Sequence, residues 1–207
     1  MRSLLLILAT LRFISAADGV DDASSPNDAL LAACTGPRGE DSPEDVAAAL
    51  AAGADINSKD ERTGQTCLMA STLRGKDKIL RYLLKNGADA TIPERDGYTP
   101  PHGSGFQGRI ETMRLLKETG VDIMNAEHPD GFYPLHRACW GREPRHSEVV
   151  EYLLELGEDP DRRGTGEIKK TCWEMTENPD TIAILKKYGA TDPEAEDANE
   201  SSPGSEL

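Results

Sequence analysis

The sequence predicts an all-α fold, a solenoid of about five helix-turn-helix repeats joined by short hairpin-like turns. Three observations predict it. Glycine recurs in matching company, as Ala52-Gly53-Ala54-Asp55, Asn86-Gly87-Ala88-Asp89, Thr119-Gly120-Val121-Asp122, Leu156-Gly157-Glu158-Asp159 and Tyr188-Gly189-Ala190-Thr191. The spacings are 34, 33, 37 and 32 residues, a period that marks stacked units, each burying one layer against its neighbours. Before most of these glycines lies an apolar pattern at helical spacing, and between them a second short motif repeats.

The apolar patterns are Ile79, Leu80, Leu83 and Leu84, then Met113, Leu115 and Leu116, then Val149, Val150, Leu153 and Leu154, then Ile182, Ile184 and Leu185. Each reads as one face of a helix, and each glycine as its left-handed stop, where a side chain would be strained. The first repeat is weaker. It has an Ala-rich second helix, Val46 to Ala52, and an insertion from Gly36 to Pro43.

The second motif reads Gly64-Gln65-Thr66-Cys67-Leu68-Met69, Gly97-Tyr98-Thr99-Pro100-Pro101-His102 and Gly131-Phe132-Tyr133-Pro134-Leu135-His136, with a fainter copy at Thr171-Cys172-Trp173-Glu174 and the faintest at Asp28 to Ala33. Threonine suits a helix cap, and proline suits the first helical turn, where its missing N–H costs nothing. These stretches resemble the Thr-Pro-Leu-His signature of ankyrin repeats, and the resemblance covers roughly residues 26 to 191. It implies a hairpin-like turn followed by two antiparallel helices in each repeat, stacked into a curved solenoid that acts by binding protein partners. The expected organisation is a signal peptide at 1–17, an acidic linker at 18–25, the repeat domain at 26–191 and an acidic disordered tail at 192–207.

The chain is lean, with 37% hydrophobic and 5% aromatic residues, which a one-layer stack tolerates. Its formal net charge of −14 argues against nucleic acid, which demands a basic footprint, and against adsorption to anionic lipid. At the N-terminus Arg2 precedes the apolar run Leu4 to Leu11, and Ser15-Ala16-Ala17 offers a small-residue cleavage site. That is the layout of a secretory signal, too short to span a bilayer. Arg12 is out of place in it. The alternatives are a greasy N-terminus on a cytoplasmic protein, or a transit peptide, which Asp18, Asp21, Asp22 and Asp28 disfavour. The expected location is therefore the secretory pathway or the outside of the cell, with the cytoplasm as the alternative. Asn199-Glu200-Ser201 is a glycosylation sequon that matters only on the secretory route.

Few residues tempt as chemistry. His102 and His136 fall on the signature histidine, which the resemblance assigns to structural hydrogen bonds between repeats. His128 lies in a turn and His146 at a helix start. No nucleophile and acid frame any of them, so the expectation is no enzyme, no cofactor and no metal. The four cysteines contain no CxxC pair. Cys34 and Cys139 share one phase, Cys67 and Cys172 another, so like-phased cysteines stand three repeats apart. Cys34–Cys67 and Cys139–Cys172 fall in adjacent repeats but are offset by several residues. The expectation is four small buried thiols, with these two bridges as the alternative.

The proposed partner contacts follow from two patterns. Basic residues recur in the turn joining the two helices of a repeat: Arg38, Arg74, Lys76, Arg109, Arg142, Arg145 and His146. They read as a ridge for an acidic partner segment, or as cations complementing helix C-termini. Aromatic residues stand near the hairpin turns, at Tyr98, Phe132 and Tyr133, with Arg137 and Trp140 nearby. Trp140 opens a turn about three residues longer than its counterparts, expected as a surface loop. Tryptophan and arginine are the residue types enriched in binding hot spots. Repeat three carries Pro101, Gly103 and Gly105 where leucine and helix formers belong, which predicts a soft joint at 100–108. The function expected is a monomeric adaptor, scaffold or inhibitor, and the alternative is a chaperone-like or assembly factor of the secretory pathway.

Overall fold

The computed structural model describes residues 25–37, 40–167 and 169–193. The expected signal peptide, nearly all of the linker and tail, Arg38 and Asn199 lie outside the described residues. Among the described residues the regular secondary structure is helical, apart from one isolated bridge between Lys59 and Thr66. Its α-helices pair in chain order: α1 (Pro26–Thr35) with α2 (Pro43–Ala51), α3 (Cys67–Arg74) with α4 (Asp77–Lys85), α5 (Pro100–Gln107) with α6 (Ile110–Glu118), and α7 (Pro134–Cys139) with α8 (Pro144–Glu155). In the fifth unit a single 3-10 turn, Trp173–Met175, replaces the first helix before α9 (Pro179–Lys187). First helices stack on first helices, α1 on α3 on α5 on α7, and second helices on second helices.

The corner glycines do what their recurrence predicts. Gly53, Gly87, Gly120, Gly157 and Gly189 follow α2, α4, α6, α8 and α9, all at φ between 84° and 98°. A Cβ at any of them would meet no atom within 4 Å, so backbone conformation alone selects glycine there. Two residues on, the corners are laced together. The Asp55 N–H donates to Asn27, the Asp89 N–H to Asn57 and the Thr191 N–H to Asp161, at 2.8–2.9 Å.

The helix starts follow the signature motif. The Thr66 hydroxyl accepts from the Met69 N–H at 3.2 Å. Tyr133 has no short capping oxygen, and there the ring of His136 accepts the Tyr133 N–H instead. Leu30, Leu68, Leu80, Leu83, Met113, Leu116, Leu135, Leu153 and Leu185 form one continuous buried core along the stack.

The cysteines correct the sequence expectation. Both adjacent pairs are disulfides, Cys34–Cys67 with Cα atoms 5.3 Å apart and Cys139–Cys172 with Cα atoms 5.5 Å apart. The offset along the helix is real, but neighbouring first helices are displaced by a similar amount. Counting from the threonine of the signature (Thr66, Thr99, Tyr133, Thr171), the seventh residue of one repeat lies over the second residue of the next. Gly105, a seventh residue, shows the same register: a Cβ there would lie 2.5 Å from the carbonyl oxygen of Pro134, the second residue of the following repeat.

One further expectation changes. The extra residues of repeat four extend α8 to 12 residues, against nine in α4 and α6, so they form an added helical turn and only a short connection from Trp140 to Glu143. Pro144 at the first helical position, with its φ already set, starts that turn. Residues 100–107, where the soft joint is expected, form a continuous helix, and Gly105 in it is required by the close approach of α7.

Candidate functional site

The basic residues between paired helices mostly tie repeats together. Lys76 is 1% exposed, and its Nζ donates to the carbonyl of Ala33 near the end of α1 at 3.0 Å. His146, its counterpart in repeat four, bonds the carbonyl of Phe106 near the end of α5 at 3.2 Å. Both satisfy carbonyls that a helix end leaves open. Arg109 lies against Gly75, where a Cβ would come 2.9 Å from its Nη1. Arg74 is half-buried and directs Nη1 to the Ala70 carbonyl. Arg142 and Arg145 are exposed, the first paired with Glu177 across to repeat five, the second with Glu143. Among its described members this row therefore works largely as the helix-end complement, and Arg142 and Arg145 are the exposed ones.

The aromatic candidates gather around one buried cation. Arg137 has no exposed surface, which corrects its expected role as a direct partner contact. Its guanidinium carbon stands 4.8 Å from the ring centre of Tyr98, 4.6 Å from Trp140 and 5.6 Å from Phe132. Its Nη2 donates to Asp130. Nε and Nη1 have no hydrogen-bond partner among the described residues, and the surrounding ring faces supply the compensating negative potential. Burial opposes ionisation of Asp130, yet hydrogen bonds from Arg137, the Phe132 N–H and His128 hold its carboxyl below the usual range. Tyr133 is buried apart from this cluster, under the guanidinium of Arg162 at 3.5 Å.

The histidines are structural. His136 accepts the Tyr133 N–H and reaches the Arg162 carbonyl of the next hairpin at 3.1 Å, an inter-repeat bond of the kind the signature implies. His102 is held by the Thr99 hydroxyl at 2.8 Å. Burial lowers both imidazoles to about 4, with Arg137 and His128 adding to the effect at His102.

Two large apolar side chains of the first helices stay open to solvent, Phe106 at 51% and Trp140 at 41%. Phe106 was not among the sequence candidates. The signal was present, since it holds the same position in its repeat as Trp140, eighth from the signature threonine. Beside Phe106 is a cleft of about 290 Å³, lined among others by Met69, Leu73, Tyr98 and Gly103.

The pattern of hairpins, corners and signature caps is matched by the family model for ankyrin repeats (3 copies), over residues 30–127 and 87–164. The chain belongs to the ankyrin-repeat family. Ankyrin repeats form protein–protein interaction modules, and the family is in general non-enzymatic. Among curated proteins the chain is similar to alpha-latrocrustotoxin-Lt1a of Latrodectus tredecimguttatus, 30% identical over 115 residues, 56% of this chain and 8% of that one. It is also similar to ankyrin repeat and SOCS box protein 3 of Bos taurus, 32% identical over 88 residues, 42% of this chain and 16% of that one. Protein fem-1 homolog A-like of Mus musculus is 33% identical over 94 residues, covering 45% of this chain and 14% of its own length. The chain thus spans less than a fifth of the length of these relatives, and what it shares with them is the repeat stack.

Proposed function

We propose that this ankyrin-repeat chain is a non-enzymatic binding module of the secretory pathway or the cell exterior. In this reading it grips a protein partner with the face built from the hairpin turns and first helices of repeats two to four. The observation that carries the reading is the pair Phe106 and Trp140, open to solvent one repeat apart on equivalent positions. Large apolar side chains left exposed together, in a chain this poor in aromatics, are the mark of an interface. Arg137 and Asp130 support that face from beneath. Arg142 and Arg145, exposed at the adjoining turn, extend it. The net charge of −14 favours a partner whose contact surface is basic.

The compartment is supported by the two disulfides, which persist in oxidising surroundings, together with the signal-like N-terminus. Burial holds the imidazoles of His102 and His136 neutral, and His136 bonds the next hairpin, so both serve the stack.

The test pairs partner recovery with a control. The mature protein and a Phe106→Ala plus Trp140→Ala variant are used to retrieve partners from the secretory fraction of the native cell. A Lys85→Ala variant, changed on the second-helix side, is carried alongside. Loss of one partner with the double variant and its retention with Lys85→Ala is expected. Equal recovery by all three forms contradicts the binding face. N-terminal sequencing of the native protein checks the compartment, with a start at Asp18 expected.

A further inference from the structure

Repeats three and four are nearly superimposable in sequence frame, and a shift of 34 residues carries one onto the other. Applied to the Arg137 cluster, that shift gives a second set of residues. Asp130 maps to Asp96, Phe132 to Tyr98, Trp140 to Phe106 and Arg137 itself to Gly103. The remaining ring, Tyr98, maps one repeat back onto Gln65 across a shift of 33. All five residues reached in this way line the cleft of about 290 Å³ on the binding face. The cleft is therefore the counterpart of that cage one repeat earlier, with two rings in place of three, Gln65 standing for the third, and without the side chain that fills it in repeat four.

The filled cage shows what the empty one is shaped to hold. In repeat four a guanidinium sits over aromatic rings at 4.6–5.6 Å and is tied to a carboxylate. In repeat three the ring of Phe106 is half exposed, Asp96 stands at the equivalent rim, and Gly103 sends nothing in. The differences favour a cation further. Glu94 occupies the place of His128, adding a carboxylate, and Met69 occupies the place of His102. The nearby cations are already engaged, Arg95 with the Glu61 carbonyl and Arg137 with Asp130.

We propose that this cleft is an arginine-recognition site, in which a partner's guanidinium enters beside Phe106 and Tyr98 and is bound by Asp96 as Arg137 is bound by Asp130. Arginine is favoured over lysine because a planar guanidinium can stack on a ring and meet a carboxylate in one pose, whereas an ammonium is a hydrated point charge. The site rests on the protein-binding reading and adds to it the chemistry of one anchor residue.

The test needs no partner. The mature, disulfide-intact chain is labelled with nitrogen-15 and titrated with Nα-acetyl-arginine amide, with the lysine and citrulline amides in parallel. Saturable shifts centred on Asp96, Tyr98, Gly103 and Phe106 are expected with arginine in the millimolar range. Lysine should bind severalfold more weakly, and neutral citrulline should give no saturation. Asp96→Asn, an exposed position, should weaken arginine binding about tenfold, as loss of a charge-assisted bond does, without altering the rest of the spectrum. Gly103→Arg should fill the cage from within and abolish the response. Only flexible side-chain ends, of Met69 and Leu73, lie within 3.1 Å of a Cβ there. Absence of saturable shifts, equal response to citrulline, or indifference to Asp96→Asn overturns the proposal. Those results would leave the wider binding face standing, because that reading fails only if the Phe106 and Trp140 double variant keeps its partner.

Discussion

The seams between repeats are built on one register but fastened by different means. Between repeats one and two, and again between four and five, the seventh residue of one unit bonds the second residue of the next through a disulfide. Between repeats three and four the same register holds Gly105 against the backbone of Pro134, and the buried Arg137 fills the space alongside. The outer seams are thus covalently fixed, while the inner ones carry no disulfide, and the seam between repeats three and four rests on packing and on one caged cation. Solenoid stability is approximately a sum over units and seams. The comparison therefore places rigidity at the two ends and the binding residues in the middle, where small adjustments to a partner cost least.

The largest expected effect comes from removing the outer fastenings. Each disulfide closes a separation of 33 residues, and the chain-entropy model gives about 3–4 kcal/mol for a loop of that size. Replacing either pair by serine should lower the denaturation midpoint markedly, and reduction of the native protein should reproduce the sum. Unchanged midpoints under reductant would break the contrast between outer and central seams.

Acid should act on the middle of the stack. His102 and His136 are held neutral, with burial lowering each imidazole to about 4. The unfolded chain takes up protons below about 6.5 and the folded chain does not. Stability contributed by the two histidines is therefore complete above pH 6.5 and declines as the pH falls from 6.5 toward 4. Between pH 7 and 5 the loss is about 2 kcal/mol for each ring if fully expressed. Denaturant titrations at both pH values check it, and a His136→Gln variant should flatten the dependence.

Arg137 separates packing from charge in the central seam. Arg137→Ala should cost about 2–3 kcal/mol, because it empties the space among three rings and leaves Asp130 without its cation. Arg137→Met, which keeps the volume, should cost clearly less. Equal losses would show that the ion pair, and not the filling of the cage, holds the seam. Trp140→Ala should cost least, about 1 kcal/mol, since its ring is partly exposed and its contacts are the face it turns to Arg137 and the edge contact to Phe132.

Much of the stack was legible in the sequence. The corner glycines, the signature caps and the apolar faces were each local patterns, and each fixed its own helix end or helix face. What was not legible depended on how one unit slides over the next. The spacing of Cys34 and Cys67 read as a mismatch because the displacement between neighbouring first helices is a property of packing, carried by no single repeat. Gly103 and Gly105 look alike in the sequence, yet their surroundings differ: Gly105 admits the backbone of α7, and Gly103 lines the cleft beside Phe106. Arg137 read as a surface contact because helix phase alone does not reveal that Tyr98, Phe132 and Trp140 converge over it. The added residues of repeat four look like a loop by their number alone, and Pro144, its φ preset for a first helical turn, is what makes them helix.

Peptide mapping of the native protein under non-reducing conditions tests the shared register most directly. Linked peptides joining Cys34 to Cys67 and Cys139 to Cys172, with no free thiol, are the predicted result. Four free cysteines, or any link between Cys34 and Cys139, would contradict it.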